Sequence, residues 1–371
     1  MESPDFARNL YLNYRLGART RRRLATWDAE VLAAPRLPST RWHQRQAAFL
    51  RAASSSASTQ IEGNHLSLWA ADELLGGLRP EGSVKDRREV RNYSEALDLA
   101  IGLSRREPFE WHELLLQQLN AAVLRGLEAD QRGAYRSVPV TAGGGFYLAP
   151  NAAAAPALVG TLIGWLRATG AHPLVRAALL HLNLVAIHPW LDGNGRTTRL
   201  AALLDVDRVV RATELVSIEP GLAADRAGYF GRIRHAVGLS WDPENHDATE
   251  WLDWYVELHL DALRRGGELY EATLHDIVVI LEALERRGEP ADWGPIILTA
   301  AFGPFTARRV QRMYRHSSSA ARAMIGRLVE AGWLAADGAT RGRVYRPSGL
   351  VADLLLRSPE SARRWALTPP R

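Results

Sequence analysis

From His188 to Arg199 the chain reads His-Pro-Trp-Leu-Asp-Gly-Asn-Gly-Arg-Thr-Thr-Arg. This short run holds a candidate general base (His188), a carboxylate of the kind that takes a divalent cation (Asp192), two glycines that let backbone N–H groups approach a ligand (Gly193 and Gly195) and two guanidinium groups (Arg196 and Arg199). Those are the parts of a phosphoryl-transfer site, where catalysis is mostly positioning and stabilisation of charge.

The elements around the run must aim these groups. Val175 to Ile187 is rich in alanine and leucine and reads as a buried helix. Pro189 turns His188 away from helical geometry, so that helix should stop there. Trp190 and Leu191 are expected to plug the loop into the core. Gly193 and Gly195 permit positive φ. A second helix is expected from Asn194–Thr197 through Leu203, and a loop entering a helix N-terminus is a natural anion site. Arg196 and Arg199 lie one turn apart on that helix and suit a di- or triphosphate. Asp192 is an oxygen ligand for Mg²⁺ beside substrate phosphates. Any one of these features alone is ordinary turn or surface chemistry, and it is their sequence together that points to a site.

The run resembles the Fic motif, His-Pro-Phe-x-(Asp/Glu)-Gly-Asn-Gly-Arg-x-x-Arg, with Trp190 in the phenylalanine slot. Most Fic proteins transfer AMP from ATP to a hydroxyl side chain of another protein. The resemblance implies His188 as the base and Asp192 as the Mg²⁺ ligand. It implies Asn194 on the α-phosphate, amides around Gly193 and Gly195 as the anion cradle, and Arg196 and Arg199 on the phosphates, Arg199 on the γ-phosphate. It extends upstream to His172–Ala177 and to Gly133–Arg136. Val138, Val140 and Gly143–Pro150 read as a hairpin resembling the family's target-docking flap, with Gly143, Gly144, Gly145, Phe146 and Tyr147 at its tip. Asp225–Phe230 falls where the family has a helix lining the nucleobase pocket, which makes Tyr229 nucleotide-binding. Asp247–Leu252 resembles a phrase that often follows the Fic core.

Far upstream, Ser54 to Gly63 reads Ser-Ser-Ser-Ala-Ser-Thr-Gln-Ile-Glu-Gly. Such serine density is unfavourable in a helix unless the hydroxyls find partners. Ser58, Glu62 and Gly63 match the family's inhibitory motif, (Ser/Thr)-x-x-x-Glu-(Gly/Asn), and its place N-terminal to the core implies a class II member. Ser58 and Glu62 share a helical face, and Glu62 paired with Arg199 would occupy the arginine that the γ-phosphate needs. A plain helix end at Gly63-Asn64 is the alternative reading of the same residues.

Composition narrows the rest. At 371 residues, with 47% hydrophobic and 23% charged side chains, the chain can fold as two or three globular domains. No apolar run is long enough to span a membrane, and the start of the chain, with Glu2 and Asp5, lacks the plan of a signal peptide, so a cytoplasmic location is expected. The chain has no cysteine, which excludes disulfides, thiolate chemistry and cysteine-bound metal. Lys85 is the only lysine, which removes P-loop, Schiff-base and kinase-type sites. A net charge of +5 favours anionic partners, although the Arg19–Arg23 cluster reads as a solvated helix face.

The expected fold class is mainly α: a Fic-type helical bundle with a small β-hairpin flap, followed by a C-terminal winged helix-turn-helix domain. Residues 1–105 form a helical region carrying the inhibitory helix around 54–63, with helices at Trp42–Ala53 and Trp69–Leu78. Residues 106–266 form the catalytic core, with helices at Glu110–Leu127, Ala152–Ala168 and Thr249–Arg265. Residues 272–350 form the winged-helix domain, with helices at Leu274–Arg287, Phe305–Met313 and Ser317–Ala331 and a returning strand at Arg341–Arg346. Residues 351–371 form a tail. Arg322, Arg327, Arg341, Arg343 and Arg346, with Arg308, Arg309, Arg312 and Arg315 nearby, could meet the phosphates of DNA, and winged helices also dock proteins.

The reading is therefore a protein adenylyltransferase using Mg²⁺ and ATP, autoinhibited by Glu62. Its partners are ATP, a target protein bearing a Ser, Thr or Tyr hydroxyl, its own side chains as self-modification sites, a second copy as a homodimer, and DNA through the tail, with no membrane. One alternative is removal of AMP, with Glu62 positioning a water. Another is a DNA-binding transcriptional regulator that uses the Fic core as a nucleotide sensor. The intact His188 speaks against the sensor, which needs no base. Transfer of UMP or GMP remains compatible with the sequence.

Overall fold

The computed structural model describes residues 4–34, 40–127, 132–211, 217–338 and 343–355. In chain order come α1 (Pro4–Asn9), α2 (Ala18–Ala33), α3 (Arg41–Ile61), α4 (Leu68–Leu75), α5 (Val84–Ser104) and α6 (Glu113–Val123). The strands β1 (Thr141–Ala142) and β2 (Tyr147–Leu148) follow, then α7 (Ala155–Ala168), α8 (Pro173–Ile187) and α9 (Asn194–Val210). Next are α10 (Glu219–Ala224), α11 (Arg226–Val237), α12 (Thr249–Arg286), α13 (Gly294–Ala301) and α14 (Ala307–Tyr314). The order ends with α15 (Ser318–Glu330), β3 (Leu334–Asp337), β4 (Val344–Pro347) and α16 (Gly349–Leu355). The fold is mainly helical with small two-stranded sheets.

The chain divides into two compact units. The first takes Met1–Ala34, Ala57–Asn64 and Val84–Leu263, the second Pro35–Ser56, His65–Ser83 and Arg264–Arg371. The boundaries fall inside α3 and α12. Two separate helices were expected across the latter stretch, at Thr249–Arg265 and Leu274–Arg287, but one helix of 38 residues runs through the Gly266-Gly267 pair. Each glycine costs a helix about 1 kcal/mol. Within the first unit Leu252, Val256 and Leu260, and within the second Leu269, Ala272 and Ile280, are buried, and packing of those faces outweighs that cost.

The first unit is centred on α8 and α9. His172 caps α8, its Nδ1 accepting the N–H of Leu174 at 3.1 Å, and Pro173 fills the first helical position. The helix is apolar almost all round, and Leu174, Leu179, Leu180, Leu182 and Leu184 are fully buried, as such a helix must be. The α9 helix is as deeply buried although its sequence is polar, so its side chains need partners. Asp205 accepts from Arg176 Nε at 2.8 Å and Trp111 Nε1 at 3.3 Å, and Thr197 Oγ1 accepts from Asn120 Nδ2 at 3.2 Å. The strands β1 and β2 form an antiparallel hairpin with Thr141 opposite Leu148 and Ala142 opposite Tyr147.

Two histidines in this unit make its stability depend on pH. His181 and His259 are buried, and burial lowers each to about 3, with Arg199 adding to the effect at His181. Both are neutral when folded and titrate near 6.5 when unfolded, so the folded state binds fewer protons in acid. Their contribution is complete above the unfolded value and is lost as pH falls below it, at about 1.4 kcal/mol per pH unit for each histidine. Urea unfolding at pH 7.5, 6.5 and 5.5 should show a falling midpoint, and His259→Phe should flatten the dependence. A midpoint that stays level from 6.5 to 5.5 would show that these rings are not held neutral.

The second unit packs around Phe49, Ile297, Phe302, Phe305, Leu328 and Trp333. Ser317 caps α15, its Oγ accepting the N–H of Ala320 at 3.1 Å. The strands β3 and β4 pair antiparallel from Leu334 opposite Pro347 to Asp337 opposite Val344, and Phe305 and Tyr345 exchange backbone hydrogen bonds of 3.0 and 2.8 Å beside them. Arg45 grips Asp72 with two hydrogen bonds, of 2.9 and 2.7 Å, and Arg309 adds a third at 3.0 Å, all buried. Arg309 was expected among the surface charges, but it is spent on this interior carboxylate. Arg308, Arg312, Arg315, Arg322, Arg327, Arg343 and Arg346 are exposed, and Arg341 lies outside the described residues.

Candidate nucleotidyl-transfer site

The α8 helix ends at His188 in the left-handed region, at φ 50° and ψ 59°. A residue before proline avoids the right-handed helical region, and the left-handed turn closes the helix, with His188 N–H on Leu184 O at 3.2 Å. The same turn brings Nδ1 to 3.3 Å from the carbonyl of Val185. Nδ1 therefore carries the proton and donates it there, and Nε2 keeps its lone pair. Burial lowers the histidine's pKa below its ordinary value, helped by Arg136 and opposed by the Val185 carbonyl, Glu62 and Asp192. The ring is neutral at physiological pH, as a base must be.

Arg136 holds this corner. It is buried, and its Nε–H donates to the carbonyl of His188 at 2.8 Å and its Nη1 to that of Val138 at 3.1 Å. Nη2 reaches the carbonyl of Pro150, and the Arg136 N–H meets Pro189 O at 2.9 Å. One side chain thus ties the base of the hairpin to the histidine loop.

The loop from Trp190 to Asn194 is closed by the amide of Asn194, which accepts the N–H of Trp190 at 3.0 Å and donates to its carbonyl at 2.8 Å. Trp190 is buried as expected, whereas Leu191 is half exposed and plugs nothing. Gly193 sits at φ 77°, and a Cβ there would press Asn120 Nδ2 at 3.0 Å and Val123 Cγ2 at 3.2 Å. Asn120 was not picked out from sequence. It donates to the carbonyl of Asp192 at 3.0 Å and accepts the N–H of Gly133 at 2.9 Å, so it braces the loop from behind.

Asp192 Oδ1 accepts the Gly193 N–H and an Arg196 Nη2 hydrogen at 3.0 Å. Its side chain is 60% exposed, which leaves Oδ2 to solvent. Among the described residues no group of three or more His, Asp or Glu side chains is placed to hold a metal ion. A single open carboxylate fits Mg²⁺, which keeps waters and arrives with substrate phosphates.

Arg199 is buried under the tip of α3. Its Nε–H donates to Ser58 Oγ at 2.7 Å, and Nη2 donates to Ser58 O at 3.0 Å and to Glu62 Oε1 at 2.8 Å. Burial opposes the charge, but Glu62 and the surrounding tyrosines outweigh it and raise the pKa. Nη1 is buried without a hydrogen-bond partner among the described residues. The Glu62 carboxylate lies against Gly195, where any Cβ would meet it, and Arg199 Nη1 stands 3.1 Å from the same point. A carboxylate therefore fills the space at the first turn of α9 that its free amides make attractive to an anion. Ser58 is buried and Glu62 is partly exposed. Gly63 turns the chain at φ 94°, and Arg226 Nε holds the last helical carbonyl, of Ile61, at 2.7 Å.

Tyr229 is buried, its hydroxyl 2.9 Å from His181 Nε2, in an aromatic group with Trp251, Trp254 and Phe230. In the hairpin, Gly143, Gly144 and Gly145 all take positive φ and form the turn. Phe146 and Leu148 are exposed, whereas Tyr147 is buried and faces inward. Fewer residues are paired than the sequence suggested, because the glycine turn and Phe146 take up the middle of the segment.

Residues 102–204 match the model of the Fic/DOC family. This region is thus similar to the Fic/DOC family, and solved structures of Fic proteins share its fold. The structure is similar to the crystal structure of a Fic family protein from Desulfovibrio desulfuricans G20, with a TM-score of 0.60 at 23% identity, covering 91% of this chain and 98% of that one. It is similar also to Fic-1 from C. elegans, with a TM-score of 0.54 at 24% identity over 67% of this chain and 72% of that one. In sequence it is similar to the protein adenylyltransferase Fic of Drosophila willistoni, 29% identical over 193 residues, which are 48% of this chain and 36% of that protein. The protein adenylyltransferase fic-1 of Caenorhabditis briggsae is 32% identical over 185 residues, 48% of this chain and 35% of that protein. The chain thus spans about a third of the length of these curated relatives. No helix among the described residues is long and apolar enough to cross a membrane.

Proposed function

We propose that the protein is a protein adenylyltransferase held inactive by its own Glu62. The observation that carries this reading is the Glu62 carboxylate seated against Gly195 on Arg199, an internal anion at the mouth of a helix N-terminus. Neutral His188, with Nε2 free, supports it.

In the proposed reaction, a target hydroxyl gives its proton to His188 Nε2 as its oxygen bonds the α-phosphorus of ATP. The bond from that phosphorus to the bridging oxygen breaks, and pyrophosphate leaves with the bonding pair. Arg199 and Arg196 bind phosphate oxygens and hold the chain of phosphates in line. Asn194 shapes the loop through Trp190, Gly193 lets that loop pack closely on Asn120, and Gly195 leaves room for phosphate at the helix start. Asp192 would hold Mg²⁺ through its open oxygen, and the ion would neutralise phosphate charge. Phe146 and Leu148 offer an exposed apolar edge to an extended target segment.

The test is the intact mass of a Glu62→Gly variant after incubation with Mg²⁺ and each nucleoside triphosphate in turn. A gain of one AMP with ATP supports the reading, and a gain with another triphosphate reassigns the nucleotide. No added mass on the variant or on any protein of a mixed extract would refute it. Phe146→Asp is expected to lower transfer to other proteins about tenfold while sparing self-labelling, as loss of a buried aromatic contact at an interface does.

We read α13 to α16 with β3 and β4 as a winged helix whose exposed arginines face an anionic partner. A mobility shift of the full chain with mixed DNA duplexes that weakens steeply with salt would make that partner nucleic acid. No shift at low salt would leave protein docking as its role.

A further inference from the structure

We propose that Glu89 is a regulatory positioning residue that ties the turn after the inhibitory helix to Arg196, so that the seating of that turn and the aim of Arg196 change together. This rests on the reading of Glu62 as inhibitory. Both motif arginines face carboxylates brought from outside the motif. Arg199 has Glu62, at 2.8 Å, and Arg196 has Glu89, on α5, at 3.6 Å. The second distance is an ion pair too long for a hydrogen bond, and Arg196 Nε and Nη1 are buried with no hydrogen-bond partner among the described residues. The Glu89 carboxylate is held away by Asn64, whose Nδ2 donates to Glu89 Oε2 at 2.8 Å and to the carbonyl of Asp86 at 3.0 Å.

Asn64 follows directly on Glu62 and Gly63. A displacement of the α3 tip that takes Glu62 off Arg199 also draws Asn64 from Glu89. The freed carboxylate is nine-tenths buried beside a guanidinium with unused donors, and closing that gap satisfies both. Arg196 is then drawn toward Glu89 and away from Asp192 Oδ1, which it now holds at 3.0 Å. Glu89 thus converts the position of one turn into the availability of a motif arginine and of the carboxylate beside it.

Two measurements on the full chain test the two halves of the tie. The first is hydrogen exchange of the segment from Ser58 to Asn64 without nucleotide. Asn64→Ala and Glu89→Ala should exchange about two- to tenfold faster there, the effect of one lost hydrogen bond. Glu89→Gln keeps an acceptor for Asn64 and should exchange at the wild-type rate. The second is the ATP concentration for half-maximal self-labelling in a Glu62→Gly background. Glu89→Gln, which removes the charge that draws Arg196, should raise it by a similar factor. Wild-type exchange in both alanine variants would overturn the tie to the turn, and an unchanged half-saturation would overturn the tie to Arg196. If Glu62→Gly itself brings no labelling, the inhibition reading fails, and the exchange result still reports on Asn64 and Glu89.

Discussion

Glu62→Gly is expected to raise transfer of label from ATP onto the protein itself by about one to two orders of magnitude, the scale on which misplaced reacting groups slow a transfer. The carboxylate now shares Arg199 with Ser58 and occupies the space against Gly195. Removing it leaves Arg199 Nη2 with the Ser58 carbonyl only and opens the first turn of α9 to phosphate. Arg199→Ala breaks the same contact but removes the phosphate's partner too, so it should stay near the wild-type rate. A variant pair in which both substitutions activate, or neither does, would show that the Glu62–Arg199 contact is a helix-end tether rather than a brake. The assay is labelled ATP with Mg²⁺, followed over time on the purified chain.

His188→Ala in the Glu62→Gly background should lower that labelling about 10²- to 10⁴-fold while ATP binding persists, the usual share of a positioned general base. The pH dependence has a definite sign. The His188 pKa is lowered, mainly by burial, so the base keeps its lone pair to a lower pH than an ordinary histidine does. The rate of the Glu62→Gly variant should fall as the solution is made acid, with a midpoint below the ordinary histidine value of about 6.5. A midpoint at or above 6.5 would contradict the environment described for the ring. If His188→Ala left the rate unchanged, the hydroxyl proton would go to another acceptor and His188 would not be the base.

Much of the site could be read along the chain because its parts are local. The helix before His188, the break at Pro189 and the new helix at Asn194 follow from periodicity and from backbone preferences that need no partner. Ser58 and Glu62 were findable through their resemblance to the family's inhibitory motif, and a helical repeat of four then puts them on one side. What the sequence hid is long-range. Asn120, Arg136, Asn64 and Glu89 act through residues far away in the chain, and no spacing announces them. The tautomer of His188 also escaped, because it depends on a left-handed turn that brings Val185 O within reach. The continuous α12 was hidden by two adjacent glycines, a local signal that buried faces on either side override. Arg309 was placed on the surface by type, and the buried carboxylate of Asp72 drew it inside, whereas Tyr147, placed in the flap by resemblance, is buried.

The left-handed backbone at His188 also restricts which replacements at that position are informative. Of the common side chains, asparagine and glycine enter this region with little strain, whereas alanine resists it and a β-branched residue resists it more. An asparagine substitution would therefore remove the imidazole and leave the corner standing, and comparing it with alanine would separate loss of a proton acceptor from collapse of the turn that carries it.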